Sequence, residues 1–249
     1  FGALDITRIN FASLNNTFPA TQAMSLPYVF DSTEHMRRAA DGVAGRSILE
    51  AFERRGLVGL AIYDSGSRCF YNHLRAVREP GDLKGLKIRV PPSDMFVSLI
   101  RSLGANPTPL SYGEIFSSLQ TKLIDGAENN WTSFQTSRHF EVARFWAQSE
   151  HSYSPEAVLM SQRRYQKLSK QQQDLVRAAA VGQEYDLGAV PELPVVGGPE
   201  GVLQGRELWG RESDADQRSG PVVAGRGSPS QRPDTINRIL NQGSIIHLP

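Results

Sequence analysis

Cysteine is almost absent from this chain. Cys69 is the single one among 249 residues, so no intrachain disulfide and no CxxC pair can exist. Charge of one sign is also missing. Lys+Arg number 27 and Asp+Glu 26, for a net charge of +1. A nucleic-acid binder carries a clustered basic excess, and no such cluster is present. No apolar run approaches the roughly 18 residues that a transmembrane helix needs. Lysine is scarce too: five of the 27 cations are Lys and the rest Arg. Arginine suits fixed, planar recognition of carboxylates, although GC-rich coding DNA gives the same bias.

The signatures of common enzymes are missing. There is no GxSxG elbow, no Walker loop, no GxGxxG after a strand and no HExxH. His35, His73, His139, His151 and His247 have no metal-ligand spacing, so each reads as solvated or hydrogen-bonded. Cys69 follows Arg68, which can lower a thiol pKa, but no base stands near it in the chain. A small buried residue in a strand is the reading for Cys69. No cofactor signal is present.

The first two-thirds alternate strand-like and helix-like patterns, the mark of an α/β fold. Strand Asp5–Asn10 leads into a Pro-punctuated loop. Ser32 caps a helix with Met36, Ala39 and Ala40, and a helix over Arg46–Arg55 stops at Gly56. LVGLAIY (57–63) reads as a buried strand followed by a flexible turn, Asp64–Arg68. Lys87–Val90 is a strand ending in two prolines. Ser93 then caps a helix with Phe96, Leu99, Ile100 and Leu103 at helical spacing. Ser111 and Glu114 form a capping box that opens a helix over Tyr112–Lys122. Ala127–Asn130 and Glu156–Ser161 read as strands, and Ser169 with Gln172 as a second capping box, for a helix to about Asp186. Residues 191–249 hold 9 of the 22 glycines, 7 of the 15 prolines and no lysine. They read as linker, disordered tail or out-of-frame text.

Binding chemistry is better supported than catalysis. Arg89 sits near the end of strand Lys87–Val90, and α/β proteins place ligands at the carboxyl ends of their strands. A guanidinium there matches a carboxylate bidentately, or it pairs with a surface acid. Arg68 follows the neighbouring strand, so two arginines can converge on one anion. Glu128-Asn129-Asn130-Trp131 adds amides, which both donate and accept. Trp131 either covers the apolar face of a sugar ring or packs in a core. Tyr112 either faces the cleft or packs.

At these residues a family resemblance enters. The run DLKGLKIRVPPSDMFVSLIRSLGANPTPLSYGEIFSSLQTKLIDGAENN (82–130) resembles the signature of the DctP-type solute-binding proteins of TRAP (tripartite ATP-independent periplasmic) transporters. The likeness extends through Gly2–Asp5, SLPYVF, the GSR of 66–68 and HFEVARFWAQSEHSYSPEAVLMS to about Arg177. It implies an α/β, periplasmic-binding-protein-like two-domain clamshell with a hinge-spanning helix. That clamshell closes on an organic acid in the periplasm and delivers it to the TRAP permease membrane subunits. It implies Arg89 as the carboxylate grip, Arg68 as a second basic contact, Tyr112 as an aromatic contact and Asn129 as the amide of the DGxEN motif. Asn10 falls where some members place a polar contact, and Ser93 and Asp94 lie beside another. Asn130 and Trp131 complete the candidate site. The DGAENNW variant with SEHSYSPE resembles the hexuronate-binding subgroup, with C4-dicarboxylates next.

The resemblance divides the chain into a partial first α/β domain (1–66) and a second with the carboxylate site (67–152). A return to the first domain and the start of the hinge helix follow (153–190), then the atypical tail (191–249). Against the family pattern, the expectation is a chain truncated at its N-terminus, lacking a βαβ segment and a leader, and atypical at its C-terminus. Three alternatives stand beside transport: a sensory module built on the same cleft, an enzyme of unknown type, and a non-functional fragment.

Overall fold

The computed structural model describes residues 4–181. The tail at 191–249, and the end of the helix expected to reach Asp186, lie outside the described residues.

A single mixed sheet organises the described chain. Its strands are β1 (Ile6–Asn10), β2 (Leu57–Asn72), β3 (Lys87–Val90), β4 (Asn106–Pro109), β5 (Gly126–Asn130) and β6 (Phe145–Ser161). Their order is β1-β6-β2-β5-β3-β4. β2 and β6 run antiparallel along most of their length, and β1 and β5 flank them antiparallel. β3 pairs parallel with both β5 and β4.

Two of these strands are longer than their sequence patterns suggest. β2 continues through Asp64–Arg68, where a turn is expected. The pairing shifts register between Asp64 and Ser67, so the segment is a bulge within one strand. Gly66 takes the left-handed φ of 85° that the bulge requires, and its N–H donates to Asp64 Oδ1 at 2.7 Å. β6 begins at Phe145, eleven residues before the expected Glu156. Its first half buries Ser149, His151, Ser152 and Ser154, so it lacks the alternating apolar pattern by which strands are read.

The helices are α1 (Thr33–Asp41), α2 (Val43–Ala51), α3 (Asp94–Ser102), α4 (Ile115–Gln120), α5 (Trp131–Thr136), α6 (Gln162–Tyr165) and α7 (Lys170–Val181). Their starts follow local chemistry. The Ser32 hydroxyl accepts from His35 N at the head of α1. The Ser111–Glu114 capping box opens the 3-10 turn Tyr112–Glu114 before α4. Gly56, at φ 74°, stops the 3-10 extension of α2.

Helices cover both faces of the sheet at each end. Around β1 and the adjoining ends of β2 and β6, one face packs on α1 and α2 through Phe11, Met36, Ile48 and Phe52. The other packs on α6 and α7 through Val58, Tyr63, Tyr165 and Ala180. At the β5-β3-β4 end, one face carries Phe70, Ile88, Val90, Phe96 and Ile100 against α3. The opposite face carries Tyr71, Ile115, Ala127 and Phe134 against α4 and α5. β2 and β6 are common to both ends.

Candidate functional site

Alternation along the strands sorts the candidate residues by face. Arg68 and Phe70 stand opposite Asn130 and Glu128; Cys69 and Tyr71 stand opposite Asn129 and Ala127. Phe70 packs toward α3 and Tyr71 toward α4 and α5. Arg68 and Arg89 therefore leave opposite faces of the sheet.

The Arg68 face is a closed polar network. The Arg68 guanidinium grips the Glu128 carboxylate with Nε at 2.5 Å and Nη2 at 2.7 Å. Nη2 also donates to the Glu128 carbonyl at 3.1 Å, and Nη1 to Ser154 Oγ at 3.0 Å. Its plane lies over the Phe96 ring at 5.0 Å. Asn10 joins through the same hydroxyl, its Nδ2 donating to Ser154 Oγ at 2.8 Å. His151 stacks on Phe70 and places Nε2 3.5 Å from Glu128 Oε2, with no hydrogen-bond partner for that nitrogen. Burial works to raise the Glu128 carboxyl, but Arg68 and His151 outweigh it and hold it below the ordinary value. Burial also holds the His151 imidazole below its usual range, against the pull of Glu128. Arg68, expected as the second basic contact, is thus already paired.

The Arg89 face is different. Arg89 is 3% exposed, and its Nε and Nη2 donate to the Leu110 carbonyl at 2.9 and 2.6 Å. A guanidinium has five N–H groups, so three remain. Among the described residues Arg89 makes no ion pair. Burial lowers its pKa to about 10, with Glu128 opposing and Arg68 adding to the shift, so it is charged at neutral pH. Asn129 shares this face. Its Oδ1 accepts from Asn130 N at 2.8 Å, and its Nδ2 donates to no described residue. Tyr112, two residues beyond Leu110, is 46% exposed and bonds Ser137 through its hydroxyl at 2.5 Å. His139, unremarked in the sequence beyond being a histidine, accepts or donates to the Tyr71 hydroxyl at 2.8 Å.

The remaining candidates make the following contacts within the fold. The Asn130 Oδ1 accepts from Ser133 N at 2.7 Å, which makes it the N-cap of α5. Trp131 packs edge-on to Trp146 at 5.0 Å and against Phe134, in the core under α5. Ser93 accepts from Asn15 Nδ2 at 3.0 Å, and Asp94 N donates to Asn16 Oδ1 at 3.1 Å. That clasp ties the segment after β1 to the head of α3. Cys69 is buried, and desolvation pushes its thiol up to about 12, as an inert core residue requires.

Three groups escape a sequence reading: the counter-ion role of Glu128, the Ser154 bridge and the Tyr71–His139 pair. The signal for the first was present. An acid inside a short strand must meet a cation when the strand is buried, and Arg68 was the nearest one in register. Ser154 and His139 carry no comparable signal, because their partners come from distant strands. No group of three or more His, Cys, Asp or Glu among the described residues is placed to hold a metal ion. No described helix is long and apolar enough to cross a membrane.

Comparison with known proteins bears on what such a site is for. The profile of DctP, bacterial extracellular solute-binding protein, family 7, matches residues 1–189. A solute-binding protein of Chromohalobacter salexigens is 38% identical over 72% of this chain and 53% of its own length. The 2,3-diketo-L-gulonate-binding periplasmic protein of Escherichia coli K12 is 34% identical over 74% of this chain and 55% of its own. The chain thus spans little more than half the length of these curated relatives. Among solved structures, a TRAP periplasmic solute-binding protein from Bradyrhizobium, in complex with D-galacturonate, is 54% identical with a TM-score of 0.71. The alignment covers 73% of this chain and 60% of that one. A counterpart from C. salexigens with bound D-glucuronate is 38% identical, with a TM-score of 0.70 over the same shares. Over the shares covered, the α/β fold matches that of these clamshell solute-binding proteins. This chain belongs to the DctP family of bacterial extracellular solute-binding proteins.

Proposed function

We propose that the chain binds a hexuronate, such as glucuronate or galacturonate, in the periplasm and presents it to a TRAP permease without chemical change. The observation that carries this reading is Arg89. It is a buried cation with no carboxylate partner among the described residues and three free N–H groups. A buried charge is stable only when paired and hydrogen-bonded. One ligand carboxylate completes it. Arg68, by contrast, is neutralised by Glu128, so the two arginines and one glutamate sum to a single positive charge. That sum favours a monocarboxylate over a C4-dicarboxylate. The free Nδ2 of Asn129 and the exposed ring of Tyr112 on the same face suit a hydroxyl-bearing ring. The likeness to proteins with bound galacturonate and glucuronate points the same way. In this reading the described parts of 1–66 and 67–152 form two lobes, with β2 and β6 crossing between them, and residues 153–181 return to the first.

Calorimetry on the 249-residue chain with D-glucuronate, D-galacturonate and succinate tests this. Saturable binding of a uronate, weakened by roughly 2–5 kcal/mol in Arg89→Ala, is the expected result. Equal affinity for both uronates and succinate removes the charge-count argument. Unchanged uronate affinity in Arg89→Ala removes Arg89 as the anchor.

A further inference from the structure

Arg89, Ala127 and Tyr71 lie in one row across three neighbouring strands. Arg89 of β3 pairs with Ala127 of β5, which pairs with Tyr71 of β2. Residues in one row share a face of the sheet. The middle residue carries only a methyl group, so nothing taller separates the side chains on either side of it. Tyr71 is wholly buried, and its hydroxyl meets His139 Nδ1 at 2.8 Å. The two rings stack with centroids 5.6 Å apart, and Trp146 stacks on the Tyr71 ring at 5.9 Å. His139 faces the Tyr112 ring at 6.1 Å on another side.

The Arg89 guanidinium is fixed at one edge alone. Nε and Nη2 converge on a single oxygen, that of Leu110. One acceptor holds an edge but leaves the plane free to tilt about it. A bidentate grip on a carboxylate needs that plane set beforehand. We propose that Tyr71 and His139 are a positioning pair for Arg89, a hydrogen-bonded stack on the same sheet face that sets the guanidinium's tilt and holds its free edge toward the ligand carboxylate. Neither residue touches the ligand; both act through Arg89, and the inference rests on Arg89 being the ligand anchor.

The electrostatics agree with this arrangement. The field of Arg89 acts on both partners. Burial, and then Arg89, lower the His139 imidazole to about 4, so it is neutral at neutral pH. A second cation there would compete with Arg89 for the same carboxylate. The groups facing His139 are Tyr71 from β2, Arg89 from β3 and Tyr112 from the turn before α4. On its own turn, Arg138 and Glu141 pair with each other.

The test uses the 249-residue chain and its Tyr71→Phe, His139→Gln and Arg89→Met variants. D-Glucuronate affinity is measured between pH 5 and 8, and the His139 ring is titrated by NMR. Tyr71→Phe and His139→Gln are each expected to weaken binding about tenfold, the scale of one lost hydrogen bond, with cooperative melting retained. Arg89→Met is expected to move the His139 titration upward. Wild-type affinity in both Tyr71→Phe and His139→Gln overturns the proposal. So does a His139 titration that Arg89→Met leaves in place. If the unmodified chain binds no uronate, the anchor reading fails by itself. The His139 titration then decides alone whether Arg89 lies close to the pair, upward movement supporting that and none refuting it.

Discussion

Removing one member of a buried ion pair costs more than removing both, and the Arg68–Glu128 pair is where this chain exposes itself to that asymmetry. Both side chains are almost fully buried, with 3% and 0% exposure. Glu128→Gln leaves the Arg68 guanidinium without its counter-ion in a desolvated site. The expected loss is roughly 3–5 kcal/mol of unfolding free energy, read from urea denaturation. Adding Arg68→Met to that variant removes the orphaned charge and is expected to recover part of the loss. A strictly additive double variant counts against the pair. The Asn10–Ser154 bond lies on the same network, so Asn10→Ala is a milder change at its edge. Arg68, read from the sequence as a second ligand contact, is thus paired with Glu128 and Ser154 before any ligand arrives.

Elements with a clean period were legible in the sequence; those shaped by the polar interior were not. β3 and α3 follow their apolar spacing and stand at the expected positions, although the Ser93 side chain makes no capping bond; the helix expected over Tyr112–Lys122 divides into a 3-10 turn, Tyr112–Glu114, and the shorter α4, Ile115–Gln120. β6 was legible only from Glu156, because its first half carries serines and a histidine turned inward toward Arg68 and Glu128. The bulge at Asp64–Arg68 has turn composition, and only pairing with β6 shows that the strand goes on. Of the proposed site, the placement of Arg89 and Asn129 near strand ends was legible in the sequence. That Arg68 faces the other way was not, since it depends on a register that no local pattern states. Gly126, one residue ahead of the strand expected from Ala127, is the first residue of β5 and a packing residue. A Cβ there would stand 2.3 Å from the Tyr71 carbonyl oxygen and 2.7 Å from Asn72 Cβ. Both belong to the neighbouring strand and cannot swing away. Gly126→Ala is therefore expected to separate β5 from β2 and lower the melting temperature by several degrees, the scale of a 1–3 kcal/mol overpacking penalty. A melting temperature equal to that of the unsubstituted chain shows that the strands part without cost.

At the scale of the whole molecule, the polar interior makes stability depend on pH in one direction. His139 and His151 are buried and held below their ordinary range, chiefly by desolvation. In the unfolded chain each takes up a proton near pH 6.5. In the folded chain His139 does so only near 4. Between those values the unfolded state binds more protons, so acid favours unfolding. The stability associated with neutral His139 is complete above pH 6.5 and is lost as pH falls to about 4. From His139 that loss is at most about 3 kcal/mol, and His151 acts with the same sign. Glu128, depressed by Arg68 and His151 against its burial, extends the trend, because its contribution disappears as pH falls through its lowered value. Urea midpoints measured from pH 7.5 down to 4.5 should decline throughout that interval, and His139→Gln should flatten part of the slope. A midpoint constant between pH 7 and 5 would mean that the histidines ionise freely in the fold. Such a result would also weaken the picture of an interior that tolerates one uncompensated cation, Arg89, by keeping its neighbours neutral or paired. Ligand binding works against part of the acid effect, since a carboxylate on Arg89 offsets the smaller, Arg89-derived share of the His139 shift and leaves the larger share, from desolvation, in place. With saturating uronate the decline between pH 6.5 and 5 should therefore be shallower than without it.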